Sequence, residues 1–127
     1  MNKEFVPYNE SLELKQLGFD GIYTFKVYDS TTKELIFSEL GNVVSGYILA
    51  PLYQQAFRWF REKYKLQTYI DFYHSDSYFF KIKSQDGRNI GNTGDIILQG
   101  TPVFTRTYEE AELACLKKLI EIVKAKQ

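Results

Sequence analysis

Apolar residues recur along this chain with two distinct periods, and the predicted secondary structure changes where the period changes. Between Pro7 and Gly18, Leu14 and Leu17 share one helical face, while Glu10, Glu13, Lys15 and Gln16 are left for solvent. Proline in a first turn and glycine just past an end bound a short helix, and Phe19 is placed for the apolar contact of a Schellman ending. From Gly21 the period is two, with Tyr23, Phe25 and Val27 on one face of a strand and Thr24 and Lys26 on the other. A polar turn over 29–33 returns the chain into a second strand at 34–40.

Residues 52–64, opened by Ala50-Pro51, contain no Gly, Pro or β-branched side chain to interrupt a helix. Leu52, Ala56, Trp59 and Phe60 follow the spacing of one buried face, widened by Tyr53, Phe57 and Tyr64, and the opposite stripe is Gln54, Arg58, Arg61 and Lys65. Gln67 to His74 and 78–84 then alternate as a hairpin. A three-residue loop over 75–77 would pair Ile70 with Ile82, Phe72 with Phe80 and Asp71 with Lys81, whereas a two- or four-residue loop would oppose Asp71 to Phe80. The stretch 84–94 is so rich in Gly and Asn that it predicts a mobile loop. Strands are predicted at 95–99 and 103–106, broken between them by Gly100-Thr101-Pro102.

Thr107-Tyr108-Glu109-Glu110 reads as a capping box, its hydroxyl and carboxylate each meeting an amide at the start of a long helix. Glu109, Glu110 and Glu112 stand at that start and Lys117, Lys118, Lys124 and Lys126 toward the end, opposing the macrodipole at both termini. Its apolar residues (Ala111, Leu113, Cys115, Leu116, Leu119, Ile120, Ile122 and Val123) cover more of the circumference than one contact needs, which predicts two packed surfaces. The predicted fold is therefore α+β: one domain over residues 1–127, with a mainly antiparallel sheet of four to six strands packed by the central helix and the long C-terminal helix.

Composition narrows the function classes. The 127 residues are 25% charged and 17% aromatic, and sixteen basic side chains balance sixteen acidic ones. A net charge of zero removes the long-range field that steers proteins onto polyanions or anionic membranes, so any basic site is local. One cysteine, Cys115, and one histidine, His74, exclude a disulfide framework and a Cys/His zinc cage. No apolar run approaches the roughly 18 residues of a membrane span, and the start MNKEFVPYNE lacks the apolar core of a secretory signal, so a cytoplasmic location and no membrane contact are expected.

The segments APLYQQAFRWFREKY and TYEEAELACLKKLIEIVK, with FVPY near the start and LKQLGFD after it, resemble a family of uncharacterised short proteins of Bacteroidales bacteria and their phages or integrated elements. The likeness covers about half the chain and leaves out 67–100. The family has no assigned activity, so no residue role is carried over. The resemblance implies an accessory factor, of anti-defence type, that binds a host molecule.

Several constellations bear on what is bound. Gln54, Arg58 and Arg61 lie about a turn apart on one helix face, able to grip phosphate, although Glu62 beside them fits an ordinary solvated face. The aromatic residues are too many to bury in one small domain, and Tyr69, Tyr73 and Phe79 are predicted to share a hairpin face with Asp71, Lys81 and Lys83. Rings interleaved with cations suit base stacking, and they equally suit a protein interface. Asp71, His74 and Asp76 invite an acid–base pair, but on a regular strand Asp71 and His74 point to opposite faces. Asp86-Gly87-Arg88 could cradle phosphate without matching any glycine-rich fingerprint. Cys115 reads as a small buried hydrophobe. The acidic start of the last helix would repel a duplex backbone, so duplex nucleic acid is not expected.

No nucleophile–base pair, ligand cluster or cofactor motif is visible, and a non-catalytic binder with no cofactor is expected. An anionic, nucleotide-like ligand is expected where the Gln54, Arg58, Arg61 stripe meets Tyr73, His74 and Arg88. The alternatives are a protein–protein interaction module without a small ligand and, behind it, a small hydrolase using His74. The surplus of apolar and aromatic surface predicts a homo-oligomer, most simply a two-fold dimer.

Overall fold

A computed structural model describes residues 4–19, 26–37, 47–74, 77–92, 97–98, 101–102 and 105–126. Three helices and antiparallel strands give the α+β class. Among the described residues the strands form not one sheet of four to six but two three-stranded sheets and a two-stranded ribbon. The chain divides into two compact units, residues 1–56 and 57–127.

In the first unit, α1 (Tyr8–Gln16) starts from Pro7 and ends as its sequence requires. The Gly18 amide bonds to the Lys15 carbonyl, the Phe19 amide reaches the Leu14 carbonyl at 3.0 Å, and Gly18 takes a φ of 100°. That is a Schellman ending, with Phe19 and Leu14 both buried. Glu10, expected in solvent, is instead buried with Ser11 and Leu14. It lies one turn ahead of Leu14, on the face that packs.

The first sheet has the order β2–β1–β3, from β1 (Lys26–Asp29), β2 (Leu35–Phe37) and β3 (Tyr47–Leu49), all antiparallel. The earlier part of the predicted first strand, 21–25, and the end of the second, 38–40, lie outside the described residues. The polar turn between β1 and β2 forms as expected, with the Asp29 carboxylate accepting from the Thr31 and Thr32 amides and Lys33 at a φ of 62°. Tyr28 packs with Ile48, Ala50, Tyr8, Leu12 and Leu35. Its hydroxyl donates to the Val6 carbonyl at 2.7 Å, which also accepts from the Ser11 hydroxyl. The Val6 amide in turn bonds to the Pro51 carbonyl at 2.9 Å, so three separate stretches of sequence meet at one residue. Helix α2 (Tyr53–Tyr64) begins here and runs on past residue 56 into the second unit, and Gln55 reaches back to accept from the Leu52 amide at 2.8 Å, the cap that a leucine cannot supply itself.

In the second unit, β4 (Gln67–His74), β5 (Ser77–Lys83) and β6 (Asn89–Asn92) form an antiparallel sheet with β5 in the middle, and α3 (Tyr108–Ala125) packs against it. Phe80 and Ile82 of β5 and Ala111, Cys115, Leu116, Leu119, Ile120 and Val123 of α3 are buried. Leu113 and Ile122 are half-buried, so most of the helix's apolar girth is taken up by packing within the chain. At the start of α3 the Thr107 hydroxyl accepts from the Glu110 amide at 3.1 Å, as a capping box requires. The Glu110 carboxylate, however, accepts from that same hydroxyl rather than from the Thr107 amide.

The β4–β5 register departs from the expected one. Ile70 opposes Phe80, Thr68 opposes Ile82, Tyr69 opposes Lys81 and Asp71 opposes Phe79, while His74 opposes Ser77. Only residues 75–76 separate the paired strand ends, and a register shift between Phe72 and His74 absorbs one residue of β4. A straight ladder from that loop would set Asp71 against Phe80. The bulge restores the alternation that the buried face needs.

Of the stretch 84–94 expected to be a mobile loop, residues 84–92 form a turn and a strand, and 93–94 lie outside the described residues. Gly87 donates to the Ser84 carbonyl and Ser84 to the Arg88 carbonyl, both at 2.9 Å, and Gly87 has a φ of 87°, a three-residue hairpin turn with a glycine bulge. Asn89–Asn92 then form β6, because the asparagines and glycines that disfavour a strand in isolation gain ladder bonds to β5. Ile97–Leu98 (β7) and Thr101–Pro102 (β8) form a two-residue ribbon, so Thr101 and Pro102 pair where a break was expected. Of the strand expected at 103–106, Thr105 makes an isolated bridge to Tyr78, and 103–104 lie outside the described residues. No helix among the described residues is long and apolar enough to cross a membrane.

A Cβ at Gly87 would meet no atom within 4 Å, so replacement there costs conformation alone. Gly87→Ala is expected to lower stability by about 1 kcal/mol, and Gly87→Asn by less, since asparagine tolerates the left-handed region. Urea midpoints of the three proteins check this.

Candidate functional site

The bulge in β4 gives the second sheet two chemically different faces. Phe80 and Ile82 point to the side that α3 covers, and the outer face receives Gln67, Tyr69 and Asp71 from β4 with Phe79, Lys81 and Lys83 from β5. Tyr69 is 51% exposed. The Lys83 ammonium lies 5.5 Å from the centre of the Tyr69 ring, and the Lys81 ammonium 5.9 Å from that of Phe79. Each ammonium thus lies within cation–π range of its ring. Asp71 is also exposed, and its carboxylate accepts from the Phe72 amide at 2.8 Å.

The expected grouping of Tyr69, Phe79, Asp71, Lys81 and Lys83 on one face is therefore present. Tyr73 and His74 are placed by backbone alone: Tyr73 stands in the bulge, and position 74 pairs with Ser77, two residues from the partner of Asp71. The register shift between Phe72 and His74 is the irregularity that a regular strand lacks.

The remaining candidates lie elsewhere in sequence and are engaged locally. Gln54, Arg58 and Arg61 are all exposed on α2. The Arg58 Nε is 3.2 Å from a Glu62 carboxylate oxygen, an i,i+4 surface pair, and the Lys65 ammonium donates to the Glu62 carbonyl at 3.1 Å. Arg61 has no hydrogen bond or ion pair among the described residues. Arg88 is exposed in the β5–β6 turn with its Nε 2.9 Å from Asp86. Hydrogen bonds from the Ser84 hydroxyl and then the Arg88 amide hold the Asp86 carboxyl below its ordinary range, with the Arg88 guanidinium adding to them. Among the described residues no hydrogen bond, ion pair or ring contact joins Arg58 or Arg61 to the hairpin or to Arg88.

Further along α2, the Lys63 ammonium lies 5.1 Å from the Trp59 ring and 5.6 Å from that of Tyr64, which are themselves in edge contact. A second aromatic group surrounds the hairpin end: Tyr78 meets Tyr108 edge-on at 6.1 Å, Tyr108 is 45% exposed and Phe72 is 64% exposed.

Glu112 is more than an acid at a helix start beside Glu109 and Glu110: it lies one turn before Leu116 and two before Leu119, inside the packed arc, and is half-buried. Counting its wheel position against those leucines would have found it. Burial, and then the neighbouring Glu109 charge, push its carboxyl up from 4.5 to about 7. Burial and Glu112 likewise push the Cys115 thiol well up, which leaves it an inert part of the core. Tyr108 is raised by burial, then by Glu112 and Cys115. Among the described residues no cluster of His, Cys, Asp and Glu is suited to hold a metal ion.

Comparison with protein-family models, curated proteins and solved structures finds no match. The reading of the site therefore rests on its chemistry.

Because the folded chain holds the Glu112 proton between pH 4.5 and 7 while the unfolded chain releases it, this group lowers stability as pH rises through that window. The effect is on the order of 1 kcal/mol after screening at a half-exposed site. Glu112→Gln is expected to gain about that much over the parent protein at pH 8 and almost nothing near pH 4.5. Urea denaturation at the two pH values measures the difference.

Proposed function

We propose that the protein is a non-catalytic binding protein of the accessory type, and that the outer face of the β4–β5–β6 sheet takes an anionic, nucleotide-like ligand. The observation that carries this reading is the twofold pairing of a ring with an ammonium group, Tyr69 with Lys83 and Phe79 with Lys81. A sheet with one face on a core ordinarily turns polar side chains outward, and two rings among the outward positions need a purpose. Aromatic faces stack on bases, and ammonium groups neutralise phosphate. In the setting that the family resemblance implies, holding such a ligand would sequester a host component.

A protein partner is the second reading, favoured by Phe72 and Tyr108, two large exposed side chains at the other end of the hairpin. A thermal-shift screen with mono-, di- and cyclic nucleotides separates the two. A ligand at about 100 times its dissociation constant stabilises by roughly 2.7 kcal/mol. That gain is expected to disappear in the Lys81→Ala, Lys83→Ala double variant and to persist in Arg58→Ala, Arg61→Ala. The reverse pattern would move the ligand to the α2 stripe, and no shift with any nucleotide would leave the protein-partner reading, to be pursued through Phe72→Ala.

A further inference from the structure

Tyr69 and Phe79 are not directly opposite each other. Tyr69 faces Lys81 and Phe79 faces Asp71, so the two rings form a diagonal cross-strand pair. Diagonal partners lie about 7–8 Å apart, which is too far for one base to cover both and close enough for two neighbouring bases of one chain. The ring-and-ammonium arrangement occurs twice on this diagonal, each ring with its own cation. A repeated site matches a ligand that repeats the same chemistry.

From this we infer that the occupant of the outer face is a single strand of nucleic acid, with successive bases on Tyr69 and Phe79 and the backbone phosphates beside Lys83 and Lys81. The inference rests on the nucleotide reading above and narrows it. A duplex does not fit, because its bases already stack on one another and cannot reach the rings. With no net charge on the chain, affinity comes from these local contacts rather than from a general field. Asp71 is the one exposed carboxylate among the named residues of this face, and it sets the direction of the strand. It stands beside Phe79 and would repel a phosphate passing there, so the backbone runs on the lysine side of the rings.

Fluorescence anisotropy of the full chain with a labelled thymidylate dodecamer tests the inference, with thymidine monophosphate and a blunt duplex of equal length as competitors. The dodecamer is expected to bind at least about tenfold more tightly than the monophosphate, and the duplex not to compete. Two phosphate contacts predict a slope of about −1.4 in log K against log salt, and Lys81→Ala reduces its magnitude by about 0.7. Loss of one stacking partner in Tyr69→Ala weakens binding by about five- to a hundredfold, while Asp71→Asn strengthens it. Melting curves of the variants report whether they fold, and should Tyr69→Ala prove unstable, the Lys81→Ala slope and the Asp71→Asn gain decide. Equal affinity for monophosphate and dodecamer would overturn the single-strand inference and leave the nucleotide reading standing. Effective competition by the duplex would also overturn it. Absence of binding by the dodecamer, the monophosphate and every nucleotide of the thermal-shift screen would overturn both.

Discussion

A one-residue bulge between Phe72 and His74 decides which side chains of the β4–β5 hairpin meet α3 and which face outward. Side chains along a strand alternate strictly, so a two-residue loop and a straight ladder would turn Asp71 toward the position of Phe80, putting a carboxylate opposite a core ring. The bulge takes up one residue of β4 near the turn, where the ladder is shortest and the loss of pairing smallest. Everything beyond it then falls into phase: Ile70 lies against Phe80, Ile82 is buried under α3, and Tyr69, Phe79, Lys81 and Lys83 are gathered on the other side. Core and candidate site are two consequences of the same register.

The packed side of that sheet carries its own electrostatic tension. Glu112 sits in the apolar arc of α3, with burial and Glu109 both opposing its charge, while the nearby thiol of Cys115 is held in its neutral form. The inward face therefore favours neutral groups. Charged side chains are placed outward, where the lysines lie within cation–π range of rings. The first unit solves a similar problem differently: its buried Tyr28 and Ser11 hydroxyls both donate to the Val6 carbonyl, so these polar atoms enter the core already bonded.

Local signals in the sequence were enough for the elements whose stability is local. Pro7 and Gly18 bounded α1, Phe19 completed its ending, Thr107 capped α3, and the outward set of the hairpin followed from alternation alone. These features depend on residues within about one turn or on a period of two, and nothing distant is needed to read them. The α+β class follows from the same periodicities.

Tertiary structure decided whatever depends on a partner far away in sequence. Gly91 and its asparagine neighbours became a strand only because β5 offered free amides and carbonyls beside them. Glu10 is buried and Glu112 half-buried because their helices turn those positions toward packed faces, which the charge of the side chain gave no reason to expect. The hairpin loop length could not be settled by matching residues across it, since a bulge changes the pairing without changing the pattern of faces. Nor could the sequence say whether the Arg58 and Arg61 stripe and the hairpin rings act on one ligand: a helix face is defined by spacing, but what lies opposite it is defined by packing, and Arg58 is occupied by Glu62 on its own helix.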